Sequence, residues 1–390
     1  MNRIFGVLSL LFVFCLPASA AGDRQPVKLG LDAEFSLDNS ISAQAIEKGM
    51  RIAIAEINAA GGVLNGRPLE LVTRDHGSIP ARGIKNMREF AKMPDLVAVF
   101  GGRFSPVLLE EMAVVKETGI LLMAPWSSAD PIIDNGMKPN SVFRLSLRDS
   151  LAMPKMLQDV AARKIDKVGL LLTNTGWGRS NRAAAEEYAA RNKVPAIVHT
   201  AWYNFKDTSL VEKYESLLKA GAKAIILVAN DDEAATLVRE VATLPRDRRV
   251  PILSHWGVAG GEFVKQAGPA LQEVDFSVIQ TFSFFRADKA ALAKFFRVSS
   301  EFGLQKPEDV AAPTGVSHAY DLTHILAKAI NIAGSADRVK VRDALEKVRN
   351  HRGLIKFYAQ PFTAERHEAL GAGELLMARF RKDGVLVPMQ

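Results

Sequence analysis

The chain has 390 residues, 48% of them hydrophobic, and a formal net charge of +7. Basic residues alternate with acids, as in Arg246-Asp247-Arg248-Arg249, so the excess reads as a solvated surface and argues against a nucleic-acid partner. A single cysteine, Cys15, excludes disulfides within the chain and metal sites built on thiolates.

In chain order, Asn2-Arg3 leads into an apolar run, Ile4 to Leu16, followed by Pro17-Ala18-Ser19-Ala20. This is the pattern of a secretory signal with an Ala-x-Ala cleavage site. The run is too short for a lasting membrane anchor, which needs about 20 apolar residues. Residues 1–20 are therefore expected to leave as a signal peptide, taking Arg3 and Cys15 with them and lowering the charge to +6. Phe12-Val13-Phe14 does not fit the small residues that precede a lipoprotein cysteine. Roughly 370 residues remain, and at about 100–200 residues per domain they suggest two lobes.

From residue 27 onward, short aliphatic runs alternate with amphipathic stretches, the pattern of parallel sheets covered by helices. Strands are predicted at 27–31, 69–73, 96–100 and 120–123. The intervening helices fall near 41–59, 80–92 and 106–117. In the first helix Ile46, Met50, Ile54 and Ile57 form one stripe at three- and four-residue spacing, and Gly61-Gly62 ends it. After a break over 139–150 the pattern restarts, with strands at 167–172, 196–200, 224–228, 250–253 and 274–281. Helices near 151–163, 180–192, 208–220 and 232–243 fill the gaps. Three helical segments follow, near 288–302, 315–333 and 338–349, too little for a third domain. The fold class read from this is α/β, two doubly wound parallel-sheet lobes joined by a hinge of several chain strands. Residues 27–146 with 283–354 form lobe 1, and 147–282 with 355–390 form lobe 2.

The stretch Gly49-Met50-Arg51-Ile52-Ala53-Ile54-Ala55-Glu56-Ile57-Asn58-Ala59-Ala60-Gly61-Gly62, then Asn65-Gly66-Arg67-Pro68-Leu69, resembles a known family. So do Thr73-Arg74-Asp75, Val99-Phe100-Gly101-Gly102 with Ser105, and Gly119-Ile120-Leu121 running into Pro125. The family is the periplasmic solute-binding proteins of branched-chain amino acid and amide ABC transporters, of the leucine/isoleucine/valine-binding type. The resemblance implies a type I periplasmic binding fold that closes on its ligand like a flytrap, a periplasmic location, and an inner-membrane permease as partner. A sensory receptor that signals to a membrane kinase, cyclase or chemoreceptor is the alternative partner arrangement.

Ligands of open α/β sheets collect beyond the carboxyl ends of the strands, where helix N-termini point N–H groups at the crevice. Ser105-Pro106 suits the start of a helix, and the family places a ligand-contacting serine at this point of its motif. A capping serine without a ligand role is the plainer reading. By the same resemblance Ser127 and Ser128, after the strand that runs into Pro125, belong to the loop that grips the ligand's head. Trp177 takes the place of an aromatic that closes over the ligand. Trp126, Trp177 and Trp256 all fall just past predicted strand ends, where large aromatic walls suit a binding crevice. Asn230 and Asp231 end another strand, as ligand contacts or as helix caps. Amino-acid binders of the family usually carry an acid where Trp256 stands. Without it, another acid such as Asp231 must meet a ligand ammonium, or the ligand is not an α-amino acid. The loop Asp32-Ala33-Glu34-Phe35-Ser36 also lacks the family's usual small Ser-Gly pattern.

No phosphate-binding loop, nucleophile elbow or zinc-protease helix motif occurs. His367-Glu368, read as part of a polar loop, has no second histidine at helical spacing. His318 and His324, six apart on a predicted helix, do not share a face and read as structural. The chain is thus expected to bind a small molecule without cofactor, metal or catalysis.

Overall fold

The computed structural model describes residues 25–37 and 40–389, so the expected signal segment lies outside the described residues. The strands are β1 Val27–Ala33, β2 Leu69–Asp75, β3 Leu96–Gly101, β4 Leu121–Ala124, β5 Val142–Arg144, β6 Lys167–Thr173, β7 Ala196–Tyr203, β8 Ile225–Val228, β9 Ile252–Ser254, β10 Phe276–Gln280, β11 His351–Arg352, β12 Phe357–Tyr358, β13 Leu376–Phe380 and β14 Leu386–Pro388. The α-helices are α1 Ile41–Ala59, α2 Pro80–Ala91, α3 Ser105–Thr118, α4 Asp149–Ala162, α5 Gly176–Arg191, α6 Val211–Lys219, α7 Asp231–Thr243, α8 Phe263–Ala267, α9 Lys289–Ser299, α10 Pro313–Ala333 and α11 Arg338–Leu345.

The first sheet has the order β2-β1-β3-β4-β5, parallel throughout. The second has the order β14-β13-β10-β9-β8-β6-β7. Its parallel part, read from β7, repeats the order of the first sheet, and β13 and β14 extend it as antiparallel edge strands. Strands with helices on both faces are buried on both sides and read as unbroken apolar runs. Accordingly β3, Leu-Val-Ala-Val-Phe-Gly, and β8, Ile-Ile-Leu-Val, are buried at every position.

On α1 the stripe of Ile46, Met50, Ile54 and Ile57 is buried, and Gly61 and Gly62, with φ of +102° and +74°, turn the chain out of the helix. The same helix packs against α10, and the two approach so closely that a Cβ on Gly49 would lie 2.3 Å from the Val316 carbonyl oxygen. Helices α9 to α11 thereby join the first sheet, while β13 and β14 return to the second. The chain passes between the two sheets three times, at β5 to α4, β10 to α9, and β12 to β13.

Three readings need correction. The break over 139–150 contains β5, a strand of only three residues. Strands β13 and β14 were not anticipated. His367 and Glu368, taken for a polar loop, are irregular in backbone but buried. His367 Nδ1 is 2.8 Å from the Val142 carbonyl oxygen, and the Glu368 carboxylate accepts from Arg144 Nε at 2.9 Å. They anchor the third crossing segment to β5, because a fully buried guanidinium requires a paired carboxylate.

Candidate functional site

In both sheets the strand order reverses once, between β1 and β3 in the first and between β6 and β8 in the second. A crevice opens outside the carboxyl ends at such a reversal. The two crevices meet where Arg103 bonds Asp231 and Trp126 packs on Trp256.

From the first lobe, Glu34 follows β1, Arg103 and Ser105 follow β3, and Trp126, Ser127 and Ser128 follow β4. From the second, Trp177 follows β6, Asn230 and Asp231 follow β8, and His255 and Trp256 follow β9. All seven expected site residues, Ser105, Ser127, Ser128, Trp177, Asn230, Asp231 and Trp256, are buried. Ser105 is the first residue of α3 rather than its cap: Phe104 holds the cap position, and the Ser105 hydroxyl accepts instead from the Ala129 amide at 3.3 Å. Ser127 Oγ donates to the Gly102 carbonyl at 2.8 Å, tying the β4 loop to the β3 loop. The Ser128 carbonyl accepts from the Asp149 amide at 3.1 Å. Asn230 occupies the cap position of α7 with extended backbone, yet its side chain makes no capping bond.

The indoles form one aromatic wall across the seam. Trp126 of the first lobe and Trp256 of the second have ring centroids 6.0 Å apart. His255 stands edge-on to Trp177 at 5.0 Å and to Trp256 at 6.2 Å. His318, on α10, lies 5.6 Å from Trp256. Its two ring nitrogens meet Thr281 Oγ1 and the Pro125 carbonyl, both at 2.9 Å, as a structural histidine should. Burial lowers His318 to about 4, so it stays neutral. The Trp177 indole N–H is buried without a hydrogen-bond partner among the described residues; such a group incurs a desolvation penalty until an acceptor reaches it.

Sequence reasoning missed the charged part of the site. Arg103 reaches from the first lobe to the second, where its Nη1 donates to Asp231 Oδ1 at 2.7 Å and to the Gly257 carbonyl at 3.3 Å. The turn that receives it is built from glycines for a steric reason. A Cβ on Gly260 would lie 2.3 Å from Arg103 Nη1, and one on Gly261 would lie 1.8 Å from Asp231 Oδ2. The Arg103 amide also donates to Glu34 Oε2 at 3.4 Å, while Ser42 Oγ donates to Glu34 Oε1 at 2.5 Å. His255 Nε2 is 3.1 Å from Asp149 Oδ1. The usable signal was a lone arginine directly after an apolar strand, inside the stretch that carried the family likeness.

Behind Glu34, Asp32 and Glu111 form a buried carboxyl pair. Burial, partly offset by hydrogen bonds from Asn86 and Glu111, raises Asp32 to about 7; burial and the Asp32 charge raise Glu111 as well. Two carboxyls this close share a proton rather than carry two charges. Of these three carboxyls Glu34 is the one that faces Arg103, with Oε1 3.9 Å from its Nε.

Two matching α/β lobes that press loops, helix N-termini and aromatic side chains together across a seam define a two-lobed ligand-binding protein. The sequence profile of the periplasmic binding protein family matches residues 26–384, and the chain belongs to that family. The Leu/Ile/Val-binding protein homolog 1 of Brucella abortus is 25% identical over 352 residues, covering 89% of this chain and 88% of that protein. A type 1 periplasmic binding protein from Bordetella pertussis superposes with a TM-score of 0.83 at 22% identity, covering 94% of this chain and all of that one. A solute-binding protein of an ABC transporter from R. palustris, solved in complex with benzoate, superposes with a TM-score of 0.73 at 15% identity over 93% of this chain and 95% of that one. The fold is thus the type I periplasmic binding fold, and the likeness to the leucine/isoleucine/valine-binding type holds.

Proposed function

We propose that this protein captures a small carboxylate with an apolar body, lacking an α-ammonium group, between its lobes and hands it unchanged to an inner-membrane ABC permease. The observation that carries this reading is the pairing of an aromatic wall with acids that are already engaged. Trp126, Trp177 and Trp256 supply apolar surface, and Ser105, Ser128 and the start of α3 supply donors suited to a carboxylate, while Ser127 holds the β4 loop in place through Gly102. The acids of the seam are occupied: Asp231 by Arg103, Glu34 by Ser42 and the Arg103 amide, and Asp149 by His255. An ammonium brought here would be buried without compensation, at a cost of several kcal/mol. The benzoate-bound relative supports the reading in one respect: the same fold accommodates an aromatic carboxylate.

One observation favours an ammonium-bearing guest instead. Asp149 Oδ2 is buried without a partner among the described residues, and a cation placed there would satisfy it. Calorimetric titration with leucine and with 4-methylpentanoate, which differ only in the α-ammonium, separates the readings. The proposal predicts at least about tenfold tighter binding of 4-methylpentanoate, a difference of roughly 1.4 kcal/mol. Tighter binding of leucine overturns it and assigns Asp149 to the ammonium. Ligand recovered chemically altered after denaturation of the complex would overturn the receptor reading itself.

A further inference from the structure

We infer that the protein carries a second binding site, for a small aromatic carboxylate, in an open cavity of about 450 Å³ lined by α9, α10 and the β11–β12 hairpin. This cavity lies away from the seam between the lobes. On α10, His318 faces the seam through its bonds to Thr281 and Pro125, whereas Tyr320 and His324 line the cavity.

Its lining supplies three things a flat anion needs. The first is an uncommitted positive charge. Lys294 pairs with Glu56 at 2.5 Å and Lys356 with Glu374 at 2.6 Å, but among the described residues Arg352 has no carboxylate within ion-pair distance. Glu56 does not compete for it. Burial alone would raise its pKa, but contacts from His324, Lys294 and Tyr320 outweigh that and hold it near 2, as an anion already surrounded by partners. The second is a polar group awaiting a partner: His351 is 5% exposed, and its Nε2 has no hydrogen-bond partner among the described residues. Burial, with Lys328, His324 and Lys294 nearby, lowers His351 to about 3. The ring is therefore neutral, and it lines the cavity with one nitrogen uncommitted. The third is aromatic surface. Phe357 is 49% exposed at the cavity, with the Arg352 guanidinium 5.5 Å from its ring centroid, and the Tyr320 ring lies on the opposing helix. An arginine beside an exposed aromatic face favours a planar carboxylate over a spherical anion such as chloride, because the fork of the guanidinium matches a carboxylate and the ring offers stacking area.

The position gives the site a consequence for the lobes. Asp288 and Ala291 on one wall follow the second crossing between the sheets, and the β11–β12 hairpin on another precedes the third. An occupant braces two of the three connecting segments.

Crystals soaked in 4-bromobenzoate test the site, because anomalous scattering locates bromine directly and distinguishes the cavity from the seam. A bromine peak between His351 and Phe357 is expected in the unmodified protein. It should fall to noise in Arg352→Glu, whose side chain is exposed, and in His351→Phe. In solution, R352E should lower the affinity of this site for 4-bromobenzoate at least tenfold. No cavity peak in the unmodified protein, or a cavity peak of undiminished height in R352E crystals, overturns the inference.

Discussion

Replacing Arg103 by alanine is expected to open the ligand-free protein. Arg103 and Asp231 side chains are 7% and 6% exposed, and their 2.7 Å bond joins the β3 loop of one lobe to the first turn of α7 in the other. With the guanidinium gone, Asp231 stays buried and unpaired for as long as the lobes remain together. Removing one member of a buried pair costs about 3–5 kcal/mol. Separation of the lobes relieves most of that cost, because Asp231 then regains water. The closed-to-open ratio should accordingly fall by roughly 10²–10³. Small-angle scattering of ligand-free protein should show a larger radius of gyration for Arg103→Ala than for the unmodified chain. Asp231→Ala leaves Arg103 beside Glu34, 3.9 Å away, so its expansion should be smaller. Unchanged radii in both variants would mean that this pair does not hold the lobes.

The second large effect is expected at Trp256. Its indole is 1% exposed and touches Trp126, His255 and His318, so it joins the aromatic groups of both lobes. Truncation to alanine removes one wall of the proposed site and leaves a cavity in the closed form; deletion of a buried tryptophan side chain costs about 3–5 kcal/mol. Because the lost contacts cross the seam, the loss should appear mainly as ligand affinity. A fall of a hundredfold or more is expected for 4-methylpentanoate by calorimetry. Trp202, on β7 and 36% exposed, is the control, and Trp202→Ala should leave affinity unchanged. Equal losses in the two variants would mean that the ligand does not sit against Trp256.

Much of the scaffold was readable because burial on both faces writes long apolar runs. The strands β1, β3, β6 and β8 and the helices α1 and α10 were all located by periodicity to within a few residues. Short edge elements were not readable. Val142–Arg144 and Leu386–Pro388 span three residues each, less than the window over which alternation becomes visible. At the site, residues just past strand ends were legible because topology alone delivers them to the crevice. What those residues bond to was not. Arg103 and Asp231 lie 128 positions apart, and their meeting depends on how the two lobes come together, which no local pattern encodes. Ser105 shows the same limit on a smaller scale: serine before proline signals a helix start, but the amide its hydroxyl receives belongs to Ala129, on the next loop.

A crystal structure of the protein saturated with 4-methylpentanoate is the most direct measurement. The ligand should lie in the seam, with its carboxylate at the Ser105, Ser127 and Ser128 loops and its methyl groups against Trp126, Trp177 and Trp256. A ligand found anywhere else, with Trp126 still packed on Trp256 and the seam shut, would contradict capture between the lobes.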